Sequence, residues 1–354
     1  MNILFITANG INDASFGGPK GSIRNYTLLK SYGNVEIYTI KKKSNLQSLL
    51  SIFCGYYPPI DESDYKQLLN LSEKSYDLVF FDGSIYGKLV DIFTKSKTVV
   101  FYHNCEHDYI SVRFGNTFSL KKSIYQKLID KNEQYITLKA NYRVAFSTRD
   151  KKRISKLYGK IVEQVMPLGI EDKYRYLPPL KTERKCLLLG TVCKANVEGY
   201  SWFIKNVSPY INCKTIIAGK GFEKYKQQWD NKKVEVIGYV KDLAEIYEQA
   251  EFVAIPLFSG GGMKVKTVEA LMYGKTIFGT DEAFSGFEIN LDGVGSICND
   301  QDTFILKINE YLESKHERYN DKARKIYKNY YSIKSCELSF QEMMKNLKLI
   351  GAKK

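Results

Sequence analysis

No stretch of 18 apolar residues occurs in the 354-residue chain, so no membrane-spanning helix is expected. Met1 to Thr7 has no basic residue ahead of its short apolar run, so a secretion signal is not expected either. The seven cysteines stand apart, at positions 54, 105, 186, 193, 213, 298 and 336, with no C-x-x-C pair among them. An odd, scattered set argues against a disulfide framework and reads as reduced thiols in a cytoplasmic protein. His103, Cys105 and His107 lie close together, but a fourth ligand is missing and the segment continues a strand, which argues against a metal site. Internal repeats and low-complexity tracts are absent. Acidic residues are the scarcer charge, 39 Asp plus Glu against 53 Lys plus Arg, for a formal net charge of +14. Such a surplus favours an anionic partner (nucleic acid, acidic lipid or a phosphorylated substrate), or it reflects a lysine-rich composition. No aromatic-basic module accompanies it, so nucleic acid is not the expected partner.

Apolar residues are plentiful at 44%, and aromatics at 14% include 27 tyrosines, enough to bury two ordinary cores. At roughly 150 residues per domain, two domains are the default. Short apolar runs alternate with helical patterns throughout. Strands are expected at Asn2–Thr7, Val35–Ile40, Asp77–Phe81, Thr98–Tyr102 and Arg143–Phe146 in the first half. In the second half they are expected at Cys186–Leu189, Thr215–Ala218, Val234–Ile237, Phe252–Ile255 and Thr276–Phe278. Helices fit between them at Ser22–Ser31, Ser84–Thr94, Ser119–Ala140, Gly199–Val207, Leu243–Gln249 and Met263–Tyr273. This alternation implies an α/β chain with a parallel, doubly wound sheet in each half. The boundary falls near residues 166 to 185, which hold three of the eight prolines and many charges. The expected division is an N-terminal domain over 1–168, a linker over 169–184 and a C-terminal domain over 185–334. A polar helix within 335–354 would pack back on the first domain. Ligands of such sheets bind beyond the carboxyl ends of the strands, here a cleft between the domains.

Residues 259 to 280, "SGGGMKVKTVEALMYGKTIFGT", carry the strongest local pattern. Gly260, Gly261 and Gly262 would form a turn whose amides face outward at a helix start, where an anion is favoured. Lys264 and Lys266 add positive charge there. Val265, Val268, Leu271 and Met272 recur at helical spacing as one buried stripe, and Gly274 is a natural stop. The stretch therefore reads as loop, helix and short strand with an anion site at its mouth.

Several segments carry a resemblance. "ANGINDASFGGPKGSIRNYTLL", with the pair Gly17 and Gly18, follows the first strand; "VFYHNCEHDY" has an H-N-x-E segment at a strand end; "AFSTRDKKRI" has an S-x-x-D helix opening. "LLLGTVCKANVEGYSWFIKNVSPYI" matches a pattern in which G, N, G, W-F and P recur at fixed spacing. "IGYVKDLAEIYEQAEFVAIPL" and "GGGMKVKTVEALMYGKTIFGTDEAFSGFE" complete the second half. Together they resemble GT-B fold glycosyltransferases of the retaining family-four type (glycosyl transferases group 1), in the branch with a G-x-G-x-K turn. The resemblance implies two Rossmann-like parallel-sheet domains facing an inter-domain cleft.

It also implies a hexosyl transfer from a nucleoside diphosphate sugar to an acceptor hydroxyl, with retention and without a metal or cofactor. Glu269 would accept both hydroxyl protons of the ribose diol; its bland alternative is an i, i+3 pair with Lys266. Lys264 and Lys194 would meet the diphosphate, Lys266 matches a lysine of the branch, and the backbone of Gly261, Gly262 and Met263 would serve the sugar or phosphate. Tyr239, beside Gly238 and Val240, would pack on the base, while Asp242 and Glu245 fit a helix cap and its partner. His103 would contact the transferred sugar and, with Lys264, is a catalytic candidate. Gly17 and Gly18 would let their loop approach the donor. Arg24, Asn104 and Glu106 lie on the acceptor side, Arg24 toward an acceptor phosphate. One departure is plain: eight residues before Glu269, where many relatives have glutamate, this chain has Gly261.

On the acceptor side, residues 38 to 60 mix three adjacent lysines with an apolar, aromatic run. This suits the surface of an anionic bilayer, or equally an ordinary loop and helix covering the sheet. The implied acceptor is a glycan or lipid-linked saccharide in polysaccharide biosynthesis, and the implied location is cytoplasmic, peripheral to the inner face of the plasma membrane. A degenerate GT-B subunit that stabilises an active partner, and a nucleotide-sugar epimerase of the same fold, are the alternatives.

Overall fold

The computed structural model describes residues 1–8, 11, 17–41, 43–115, 119–176, 184–260 and 262–351. It divides into two units, residues 1–168 with 336–354, and residues 169–335. The first 168 residues hold β1 (Asn2–Thr7), α1 (Gly17–Lys30), β2 (Asn34–Thr39), α2 (Asn45–Phe53), α3 (Glu62–Leu71), β3 (Leu78–Asp82), β4 (Lys97–Tyr102), α4 (Glu106–Phe114), α5 (Leu120–Lys139), β5 (Tyr142–Ala145), α6 (Thr148–Tyr158) and β6 (Gln164–Val165). The remainder holds β7 (Lys185–Leu189), α7 (Lys194–Asn206), β8 (Lys214–Ala218), α8 (Lys226–Trp229), β9 (Val234–Gly238), α9 (Leu243–Gln249), β10 (Phe252–Ile255), α10 (Val265–Met272), β11 (Ile277–Gly279), β12 (Gly295–Ile297), α11 (Gln301–Glu313), α12 (Asp321–Ile326) and α13 (Ile333–Asn346).

The sheet of the first unit has six strands in the order β2-β1-β3-β4-β5-β6. Every pairing is parallel. Continuous apolar runs are what such strands require, because helices cover both faces. Ile3, Leu4, Phe5 and Ile6 of β1 and Val99, Val100, Phe101 and Tyr102 of β4 are all buried. On one face Phe80 stacks against Phe101 and against Phe340 of α13, with ring centroids 6.0 and 6.2 Å apart. The residues of α13 from Cys336 onward thus belong to this unit. The other face is covered by a cluster that includes Phe81, Tyr86, Leu89, Ile136 and Ile154.

The second unit repeats the plan, in the order β12-β11-β10-β7-β8-β9, again all parallel. In both sheets the strand order reverses in the interior, between β1 and β3 and between β7 and β10. Loops that leave the carboxyl ends of such neighbours diverge and open a crevice at the sheet's edge. The loop after β7 and the glycine-rich loop after β10 therefore flank the switch point of the second sheet. One close approach fixes α7 there: a Cβ at Gly199 would stand 1.9 Å from the carbonyl oxygen of Pro256, so only glycine lets the helix lie against that loop.

Some boundaries differ from expectation. Over Ser84–Thr94, where a helix was expected, the chain forms a 3-10 turn at Gly87–Phe93; Gly87 sits at φ 51°, outside the helical region. Helix α7 begins at Lys194 rather than Gly199, so Lys194 stands in a helix and not in a loop. Strands β6 and β12, of two and three residues, escaped detection because edge pairings that short show no periodicity.

Candidate functional site

At the switch point of the second sheet, α10 presents its amino end. Gly262 at φ 63° turns the chain, Lys264 occupies the N-cap with no side-chain cap bond, and the helix runs from Val265. The first amides of a helix have no acceptor within it, and here they meet the positive end of the helix dipole. Gly261 lies outside the described residues. Gly262 is buried and Met263 is half-buried.

Two lysines stand at this helix start in different ways. The Lys264 amine donates to the Gly262 carbonyl at 2.8 Å and pairs with Glu282 at 2.5 Å, with little of either side chain exposed. In this arrangement the cation folds back over the glycine turn. The Lys266 amine reaches the first turns of α7, donating to Asn196 Oδ1 at 2.7 Å and Tyr200 Oη at 2.9 Å and standing 5.1 Å over the Tyr200 ring. Burial of the amine lowers its pKa to about 7, against smaller opposing effects that include the Glu269 carboxylate. Asn196 and Tyr200 are themselves fixed, Asn196 Nδ2 to the Thr191 carbonyl and Tyr200 Oη to the Leu189 carbonyl, both at 2.6 Å. Sequence reasoning missed this pair as site residues. Their i, i+4 spacing on α7, inside the quoted N-x-x-G-Y segment, is the signal that could have found them.

Lys194, expected at the diphosphate, stands on the first turn of α7, highly exposed and 3.8 Å from Glu198. The structure brings Lys266, not Lys194, to the space beside Gly190: a Cβ there would lie 3.0 Å from the Lys266 amine. Glu269 lies one turn further along α10 and is half-buried, its charge raising the pKa of Tyr247 and Tyr273 beyond what burial does. Tyr239 is exposed after Gly238, and Glu223 packs against that glycine and accepts from the Gly221 amide at 2.9 Å. Asp242 caps α9 by accepting from the Ala244 amide at 2.9 Å and pairs with Arg175, a structural role.

In the first unit, Asp82 ends β3 fully enclosed. It accepts from Thr7 Oγ1 at 3.0 Å and Asn25 Nδ2 at 2.9 Å, and its Oδ1 lies 2.9 Å from His103 Nε2. Burial would raise its pKa, but His103 and the hydrogen bonds from Ser22 and Asn25 hold it below the usual carboxylate range. Asp82 thereby orients His103, whose Nδ1 is buried without a partner among the described residues. Sequence reasoning did not single out Asp82. Gly17 and Gly18 are the first residues of α1. Arg24 corrects an expectation. Rather than facing an acceptor phosphate it is only 4% exposed, donates to the Pro167 carbonyl and Cys336 Sγ, and lies over the rings of Phe101 and Phe146. Asn104 and Glu106 follow β4. Burial and the neighbouring Glu133 push Glu106 up to about 8, and Asn104 hydrogen-bonds to it. Glu133 accepts the amides of Glu106 and His107 at 3.1 and 3.2 Å, so the amino end of α4 is capped from within the fold.

Residues 183–314 match the family model described as glycosyl transferases group 1. Solved structures match over nearly the full length. The lipopolysaccharide outer core galactosyltransferase WaaB in its apo form has a TM-score of 0.64 and 15% identity, covering 98% of this chain and 99% of that one. HepE from Anabaena, in complex with UDP and glucose, gives 0.65 and 15% over 98% and 100%. A glycosyltransferase from Rickettsia africae gives 0.71 and 15% over 99% of each chain. No curated protein matches in sequence. The chain has the GT-B fold of these glycosyltransferase structures. The segment that matches the family model contains β7 through α11, and with it Asn196, Tyr200, Lys264, Lys266 and Glu269.

Proposed function

We propose that this chain is a glycosyltransferase that moves a hexosyl group from a nucleoside diphosphate sugar onto an acceptor hydroxyl in the assembly of a cell-surface glycan. The carrying observation is the convergence at one switch point of the amino end of α10, Lys264 and Lys266, with Glu269 one turn beyond. The HepE complex with UDP and glucose supports a nucleotide donor by similarity of fold. Helix amides and the two lysines stabilise negative charge that grows on the diphosphate as the sugar departs. The Lys264 amine exchanges Glu282 for a phosphate oxygen, and Glu269 accepts the two ribose hydroxyls. The acceptor hydroxyl attacks the anomeric carbon on the face the diphosphate leaves, and its proton passes to a departing phosphate oxygen, so configuration is retained. His103, held by Asp82, serves the first unit's part of the reaction, with Asn104 and Glu106 on the acceptor side. The lysines and amides meet the diphosphate charge without a divalent ion, so a chelator should leave turnover unchanged. The acceptor is a lipid-carried saccharide handled in the cytoplasm.

Thermal unfolding measured with UDP, GDP, dTDP and CMP tests the donor reading. The matching nucleotide at 100 times its Kd adds about 2.7 kcal/mol. Glu269→Ala and Lys264→Ala should each remove most turnover and leave the far-ultraviolet dichroism intact. Full turnover in both variants, or a folded protein that no nucleotide stabilises, would defeat the proposal.

A further inference from the structure

Helix α2 is built inside out. Leu46, Leu49, Leu50 and Phe53 follow the i, i+3, i+4, i+7 spacing of one helical face, and that face points to solvent, Phe53 being 80% exposed and the three leucines half or more. The side turned to the protein carries Ser51, which is 1% exposed and donates to the Gln47 carbonyl at 2.8 Å. A helix stabilised only by its own domain buries leucine and exposes serine. The inversion is not a loose end, because the helix is anchored at both ends. Ser44 and Gln47 form a capping box at its start. Just before it the Lys43 amine pairs with Asp61 and Asp64 at 2.9 and 3.1 Å. Just after it the Gly55 carbonyl accepts from Asn132 of α5 at 3.2 Å, and Tyr57 packs edge-on against Tyr125 of α5.

We infer that α2 docks this protein on the surface of an anionic phospholipid bilayer. An apolar helical face with no internal cover needs an apolar phase, and charge identifies which one. The nine residues of α2 include no charged residue. The unit that carries it has 28 basic and 17 acidic residues, so it holds +11 of the net +14. Lys41 is exposed just ahead of the helix. On α5, which the segment just after α2 contacts through Gly55 and Tyr57, Leu120, Ile124, Lys127 and Lys131 recur on one face and all are exposed. An apolar face amid cationic surface is the chemistry of an interfacial helix on acidic headgroups. The binding stands without the transfer reading; only its purpose, keeping the enzyme where a lipid-carried acceptor lies, rests on it.

The test is cosedimentation of the full chain with vesicles of phosphatidylcholine alone and with a third phosphatidylglycerol, at low and high salt. The wild type should pellet with the acidic vesicles, several-fold less at high salt, and weakly with the neutral ones. Because both side chains are exposed, the double variant Leu49→Ser, Phe53→Ser should fold normally and lose binding at least about tenfold. Nucleotide-induced thermal stabilisation, measured on both proteins, reports the second unit. Its loss alone would count against the donor reading, while unchanged vesicle binding by the double variant would overturn the docking proposal. So would equal binding to neutral vesicles, no binding at low salt, or a wild-type dimer that the double variant dissolves.

Discussion

The Lys266 amine, held by an amide oxygen and a phenol, titrates near neutrality, and this gives the proposed donor site a pH dependence. Its folded pKa of about 7 lies below its ordinary value of 10.5. Between those values the unfolded chain binds more protons than the folded one, so this group makes stability rise with pH through that window. Diphosphate binding favours the charged amine and reverses the balance. Nucleotide affinity should therefore fall as pH rises from 7 to 9, by up to about tenfold per unit, with proton uptake at pH 8. Calorimetry in buffers of different ionisation enthalpy measures the uptake, and Lys266→Met should abolish it. At this scale the sequence was informative about residue types near the glycine turn but not about their commitments. Lys194 and Lys266 are both lysines close to motif glycines. Only the fold shows that Lys194 extends into solvent while Lys266 is enclosed by Asn196 and Tyr200. Arg24 lay on a helix beside the first loop, and nothing local revealed that its guanidinium would sit over two phenylalanine rings.

Helix α7 makes the site possible because it lies directly on the loop that follows β10. Gly199 is the contact, and even alanine there would collide with the Pro256 carbonyl. Gly199→Ala should cost about 1–3 kcal/mol in denaturant unfolding, as overpacking does. It should also weaken nucleotide binding, because Asn196 and Tyr200 move with the helix. A variant as stable as the wild type would show that the approach is not tight. Elements with strong periodicity or caps were legible. The first strand falls on Asn2–Thr7, as expected, and Ser119 caps α5, which fills the expected 119–140 segment. The α2 segment was noticed for its composition, but its inverted orientation could not be read, because serine and leucine alternate identically whichever face turns inward.

Each unit has a core of its own, one built around Phe81, Tyr86 and Ile136 and the other around Tyr200, Phe203 and Phe304. The chain returns to the first unit at Cys336, and Phe340, Met343 and Met344 are buried there. Phe340→Ala should cost about 3–5 kcal/mol, the usual loss for emptying a phenylalanine site. It should lower the thermal transition of the first unit and leave the nucleotide-dependent transition of the second in place. A single transition shifted together with nucleotide binding would contradict independent cores. The sequence by itself determined the alternation of strand and helix, the parallel sheets and the anion-favouring start of α10, because each follows from local periodicity, glycine and charge. The tertiary structure alone decided which lysine is enclosed, that Asp82 holds His103, and that α2 turns its leucines outward. Those depend on contacts between residues far apart in the chain, where burial and hydrogen-bond partners are set by packing rather than by neighbours in sequence.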